Sequence, residues 1–154
     1  MIDELDAKIL NILQKNARIP NAEIARQVAL APSAVLERIR KLDERGVIAG
    51  YEVRLDAAAL GFGLTAFIFV KTEESLGGST TTRQIAKLAE VQEIHNVAGE
   101  DCYLLKVRVQ DTRHLMEFMR EKLGRIKSVR STRTTIVLET VKECRTLPLP
   151  ETNG

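Results

Sequence analysis

The stretch "IARQVALAPSAVLERIRKLDERGVI", Ile24 to Ile48, decides how the first third of this chain is read. Ile24, Ala25 and Val28 recur at helical spacing, and the pattern then breaks at Leu30 to Pro32. A second helical period follows from Ser33 or a neighbour, with Val35, Ile39 and Leu42 as its apolar stripe. Gly46 stands where a helix-ending glycine belongs. Upstream, Leu5, Ile9, Ile12 and Leu13 mark another helix behind Asp3, a suitable N-cap, and Asn21 is placed to cap the middle one. The spacing therefore predicts three helices and then an extended piece, Val47 to Leu55. Two helices joined by a tight turn serve equally as core packing or as a device that holds one helix in a groove of DNA.

The faces of the third helix sharpen that choice. Ser33, Glu37, Arg40 and Glu44 share one side, and Arg38, Lys41 and Arg45 share the next. A recognition helix needs an apolar seam, short polar groups near its start and long cations for phosphates. A solvated helix of mixed charge has the same periodicity, so the spacing alone leaves both readings open.

After Asp56 the pattern changes. "LTAFIFVKTE", Leu64 to Glu73, is β-rich and apolar on both faces, as a strand covered by a helix layer and a second sheet would be. The loop "GGSTTT" (Gly77 to Thr82) leads to a short helix around Ile85, Leu88 and Ala89, and Val91 to Gly99 predicts a strand. "YLLKVRVQ", Tyr103 to Gln110, alternates apolar and polar residues. Asp111 is a cap for a helix bearing Leu115, Phe118, Met119 and Leu123, stopped by Gly124, and Ser128 to Lys142 is the last strand. The order β-α-β-β-α-β is the ferredoxin-like pattern. The expected class is α+β, divided into residues 1–50 (helices), 51–62 (linker), 63–143 (ferredoxin-like domain) and 144–154 (a loosely held tail).

Bulk properties exclude more than they choose. A net charge of +2 does not by itself announce nucleic acid, so any such function must rest on where the charges sit. Cys102 and Cys144 have neither CxxC spacing nor a His cluster, so no metal site and no disulfide framework is expected. Asp3, Glu4 and Asp6 occupy the place where a secretory signal would be basic and then apolar, and no apolar run is long enough to span a bilayer. The default expectation is cytoplasmic, with no membrane partner.

The residues Leu5-Asp6, Ile9-Leu10, Ala17-Arg18, Ile24-Ala25, Val35, Arg38-Ile39, Leu42 and Gly46-Val47-Ile48 together resemble the N-terminal half of the Lrp/AsnC (feast/famine) transcriptional regulators. "VAGEDCYLLKVRVQDTRHLMEF" and "VRSTRTTIVLETVK" are similar to the ligand-sensing half of that family. The resemblance implies a winged helix-turn-helix that binds double-stranded DNA. Asn21, Pro32, Ser33, Ala34, Glu37, Arg38, Arg40, Lys41 and Arg45 are then the expected DNA-contacting residues. It further implies a homodimer that assembles to an octamer, and an amino-acid effector rather than any cofactor. The expected effector residues are Gly99, Glu100, Asp101, Cys102, Tyr103, Thr132 and Thr134. Three departures stand out: Glu37 replaces a frequent basic residue, Ala31 replaces a frequent serine, and Cys102 stands at the usual aspartate position. Cys102, His95 and Asp101 also suggest thiol catalysis, but no oxyanion site or nucleotide loop accompanies them, so an enzyme is not expected. The alternative from another class is a stand-alone ligand-binding or oligomerisation protein whose N-terminal helices contact proteins.

Overall fold

A computed structural model describes residues 2–74 and 78–150. Gly77, at the head of the predicted loop, lies outside them. The chain forms two compact units: one ends at Arg54 and takes up the chain again from Glu143, and the other is Leu55–Lys142.

The first unit holds α1 (Glu4–Lys15), α2 (Asn21–Val28) and α3 (Pro32–Glu44). Helix α1 starts at the predicted cap. The Asp3 carboxylate accepts from Asp6 N–H at 2.8 Å, and the Asp6 carboxylate accepts from Asp3 N–H at 3.2 Å. This reciprocal capping box satisfies two backbone donors that the helix itself leaves free. Asn21 is not a cap. Pro20 holds that position, with an extended backbone and no side-chain bond, and Asn21 is the first helical residue. Likewise Ala31 precedes Pro32 at the start of α3, because proline's fixed φ and missing N–H suit the first turn. Between α2 and α3 the chain reverses through Ala29 at φ 55°, ψ 45°, a left-handed conformation that costs a non-glycine residue about 1–2 kcal/mol. The three helices meet over Ile9, Ile24, Ala25, Val35 and Ile39. The wing is absent as regular structure. Residues 47–56 form no strand, and Val53 and Leu55 are exposed. The tail is more firmly placed than its two prolines suggest. The Gln14 amide donates to Leu147 O at 3.2 Å and accepts from Leu147 N–H at 2.7 Å, and Arg145 pairs with Glu52 at 2.8 Å.

The second unit is the expected ferredoxin-like layer. Strands β1 (Leu64–Thr72), β2 (Val91–Asn96), β3 (Tyr103–Val109) and β4 (Val129–Ile136) form one sheet in the order β2-β3-β1-β4, every pair antiparallel. One face, built from Ala66, Ile68, Val70, Tyr103, Leu105, Val107 and Val109, packs on α4 (Thr80–Ile85) and α5 (Thr112–Glu117) through Ile85, Leu115 and Phe118. Asp111 caps α5, its carboxylate accepting from His114 N–H at 2.8 Å. The single helix expected up to Gly124 is divided: α5 passes into a π-turn, Phe118–Lys122, and then a 3-10 turn, Leu123–Arg125. Gly124 permits this, since a Cβ there would meet the Met119 carbonyl oxygen at 2.7 Å. The last strand ends at Ile136 rather than Lys142.

Candidate DNA-reading helix and sensor depression

Helix α3 buries Val35, Ile39 and Leu42 and turns its remaining residues outward. Pro32, Ser33, Arg40, Lys41 and Arg45 are exposed, while Ala34, Glu37 and Arg38 are half-buried. No acid lies in the first turn, so the partial positive charge of the helix start is not neutralised there. Leu36 escaped the sequence reading. It lies outside the apolar stripe and is 56% exposed on the outward side. Its signal was visible as an apolar residue out of phase with Val35 and Ile39.

The cations of α3 fall into two kinds. The Arg38 guanidinium donates to Asp3 and Asp6 of α1, each at 2.7 Å, so it braces one helix against another. Arg40 and Lys41 instead pair along their own helix. Arg40 bonds Glu37 at 2.7 Å and also reaches Glu44, and Lys41 lies 3.6 Å from Glu37. Arg40 holds the Glu37 carboxyl below its ordinary range, and Glu37 in turn raises the guanidinium pKa of Arg40. These exposed pairs are held in geometry but weakly held in energy.

The second site is a shallow depression of about 290 Å³ lined by Phe69, Val97, Ala98, Gly99, Glu100, Asp101 and Arg133. Gly99 has φ +145°, which favours glycine and lets the loop between β2 and β3 bend over the sheet. The Asp101 carboxylate accepts from Arg133 at 3.1 Å, and the same guanidinium lies 4.2 Å from the centroid of the Phe69 ring.

Of the seven expected effector residues, Gly99, Glu100 and Asp101 line this depression and four do not. Cys102 packs against the apolar core, and its N–H donates to Val70 O at 3.1 Å. Tyr103 is buried on the helix-covered face, with its hydroxyl donating to Gly78 O at 3.5 Å. Thr132 and Thr134 stand opposite Val70 and Ile68, both core residues, and so belong to the helix side of the sheet. Residues paired directly across strands share a face. By the same register Arg133 stands opposite Phe69 on the other face. Phe69, Val97, Ala98 and Arg133 were passed over in the sequence reading. His95 faces Glu93, 3.0 Å from its ring, and stands opposite Leu104 on β3.

A helical unit whose third helix turns a face of mixed charge outward, followed by a sheet unit with a shallow depression, is the arrangement of a helix-turn-helix regulator with its own sensing domain. Comparison with known proteins identifies which. Residues 2–43 match the AsnC-type helix-turn-helix domain and residues 65–147 match the Lrp/AsnC ligand binding domain. The leucine-responsive regulatory protein of Escherichia coli K12 is 39% identical over 150 residues, covering 95% of this chain and 90% of that protein. Escherichia coli AsnC superposes with a TM-score of 0.90 at 28% identity, over 96% of this chain and 98% of that one. A Neisseria meningitidis transcriptional regulator solved as an L-Met complex gives 0.88 at 30% identity, over 96% and 97%. This chain belongs to the Lrp/AsnC family and is a ligand-modulated, DNA-binding transcriptional regulator. Among the described residues no helix is long and apolar enough to cross a membrane.

Proposed function

We propose that α3 enters the major groove of double-stranded DNA in the cytoplasm and that an amino acid bound in the Phe69–Arg133 depression modulates this binding. The observation that carries the reading is the outward side of α3, where Ser33, Leu36, Arg40 and Lys41 are exposed along a helix whose first turn carries no acid and whose last turn is followed by the exposed Arg45. Ser33 and Asn21 suit hydrogen bonds to bases or phosphates, with Pro32 and Ala34 allowing close approach at the helix start. Leu36 suits a thymine methyl group. Arg40, Lys41 and Arg45 serve phosphates, and Glu37 limits their pull or accepts from cytosine. Arg38 acts chiefly by fixing α3 on α1. The protein works as a homodimer, because two copies of α3 related by symmetry read two half-sites about one helical turn apart; its resemblance to the family extends the assembly to an octamer. The relative solved with L-Met supports an amino-acid effector.

The test is fluorescence anisotropy with genomic fragments at several salt concentrations. Replacing Arg40, Lys41 and Arg45 by Ala should weaken all sequences about equally and reduce the salt slope by roughly 0.9 per lost phosphate contact. Unchanged affinity and slope, with helicity intact by circular dichroism, would refute α3 as the reading element and favour protein contacts by the helices.

A further inference from the structure

The depression carries more information than its position. Its wall holds two carboxylates, Glu100 and Asp101, against one guanidinium, Arg133. Asp101 and Arg133 satisfy each other at 3.1 Å, and Glu100 is exposed at the rim. An α-amino acid carries an ammonium and a carboxylate on one carbon, which is the charge pattern that Asp101 and Arg133 present in reverse. A neutral zwitterion inserted between them exchanges one ion pair for two and leaves the wall with one negative charge in excess. A ligand with a second cation neutralises that excess, and Glu100 is the group left to receive it. The apolar alternative meets an obstacle. Phe69 is the largest apolar surface in the depression, and its ring is already covered by the Arg133 guanidinium at 4.2 Å. An aliphatic side chain would have to displace that contact, with Val97 and Ala98 as its remaining apolar partners.

We propose that the effector is an amino acid with a cationic side chain, its carboxylate held by Arg133, its ammonium by Asp101 and its side-chain cation by Glu100. This rests on the reading of the depression as the effector site. Arg133 is a binding residue that opens its pair with Asp101 on ligand entry, and Glu100 sets specificity. Cys102, packed in the core, takes no part.

Isothermal titration of the full-length protein with L-lysine, L-arginine, L-leucine and L-methionine tests both levels. L-lysine or L-arginine should bind at least about tenfold more tightly than the two uncharged amino acids. Glu100→Gln should remove most of that advantage while leaving the uncharged ligands as they were. Arg133→Gln should weaken every ligand. Cadaverine, which is lysine without its carboxylate, should bind Arg133→Gln at least as tightly as wild type, since Asp101 is then free to receive an ammonium. If L-leucine or L-methionine binds as tightly as L-lysine and L-arginine, and Glu100→Gln changes nothing, the cationic class is wrong and the effector site stands. If none of the four binds, or if binding survives Arg133→Gln unchanged, the depression is not the effector site and both readings fall. Both substituted side chains are exposed, and circular dichroism checks that the sheet is intact.

Discussion

The two units of this chain hold themselves together by different means. The sheet unit closes over twelve buried residues, from Ala66 to Ile126, in a layer of strands against helices. Among the described residues the helical unit buries a smaller apolar set, eight residues from Ala7 to Leu42, and adds a polar brace in which Arg38 of α3 holds two carboxylates at the start of α1. Small domains bury too little surface to stand far from unfolding. In such a domain a charged brace that would be incidental elsewhere helps to fix α3 on α1.

The largest expected effect comes from emptying each core in turn. Ile24 and Ile68 are both fully buried, and Ile→Ala at such sites costs about 2–5 kcal/mol. Ile24→Ala should unfold the helical unit near room temperature and abolish DNA binding, while proteolysis leaves the sheet unit protected. Ile68→Ala should lower the melting temperature of the sheet unit and leave it folded when cold. If both substitutions move one shared thermal transition, the units are not independent and the comparison fails.

The acid response separates the units more gently. The Asp6 N–H, followed by the Arg38 guanidinium, holds the Asp3 carboxyl below its ordinary value of 3.8. A depressed folded-state pKa contributes stability that is complete above the unfolded value. That contribution is lost as pH falls through the lowered folded value. The helical unit should therefore weaken from about pH 4 downward. Asp3→Asn should flatten the unit's stability profile over that window, at some cost at neutral pH. Glu90 in the sheet unit is also lowered. Burial alone would raise it, and the bonds from Lys122 and His114 outweigh that burial. Asp3→Asn must leave this second acid step untouched. Urea denaturation followed at pH 6 and pH 3 with a probe in each unit decides the matter, and a flattened step in both units would count against a local brace.

How far the sequence disclosed all this depends on which periodicity was in play. The stripe Val35-Ile39-Leu42 and the alternation Tyr103-Leu105-Val107-Val109 each had one solution, because only one face could be apolar, and the structure buries those residues. Asp3 and Asp111 were legible as caps because a short acid before an apolar period has a local role. The wall of the Phe69–Arg133 depression was harder. In "SVRSTRTTIVL" polar residues occupy both parities, so composition does not say which face each takes. Which parity faces the helices, that of Thr132 and Thr134 or that of Arg133, is therefore open in the residues alone. It is decided by the pairing of Phe69 with Arg133 across β1 and β4, and by a register shift at Lys71/Thr72 that no local pattern announces. The acids that Arg38 holds were not legible for a related reason: they lie 35 and 32 residues away, at the start of α1.

The smallest expected effect asks whether the cations of α3 are reserved for DNA or tied up among themselves. Glu37 accepts from Arg40 at 2.7 Å and lies 3.6 Å from Lys41, all three partly or fully open to solvent. Phosphate must compete with that carboxylate for the same donors, and the carboxylate itself repels phosphate. Glu37→Gln removes the charge and keeps the shape. Arg40 retains Glu44, so only part of its charge is released. The gain in DNA affinity should be modest, roughly two- to fivefold near 0.1 M salt, with the salt slope steeper by at most about one unit per half-site. Arg38 offers the contrast. It is already held by two acids of α1, so Glu37→Gln should not alter the melting of the helical unit beyond the small change expected of an exposed pair. If Glu37→Gln instead weakens binding to one sequence and spares others, Glu37 is a base-reading group that accepts from cytosine. The mixed charge of α3 would then be part of its specificity rather than a brake on its affinity.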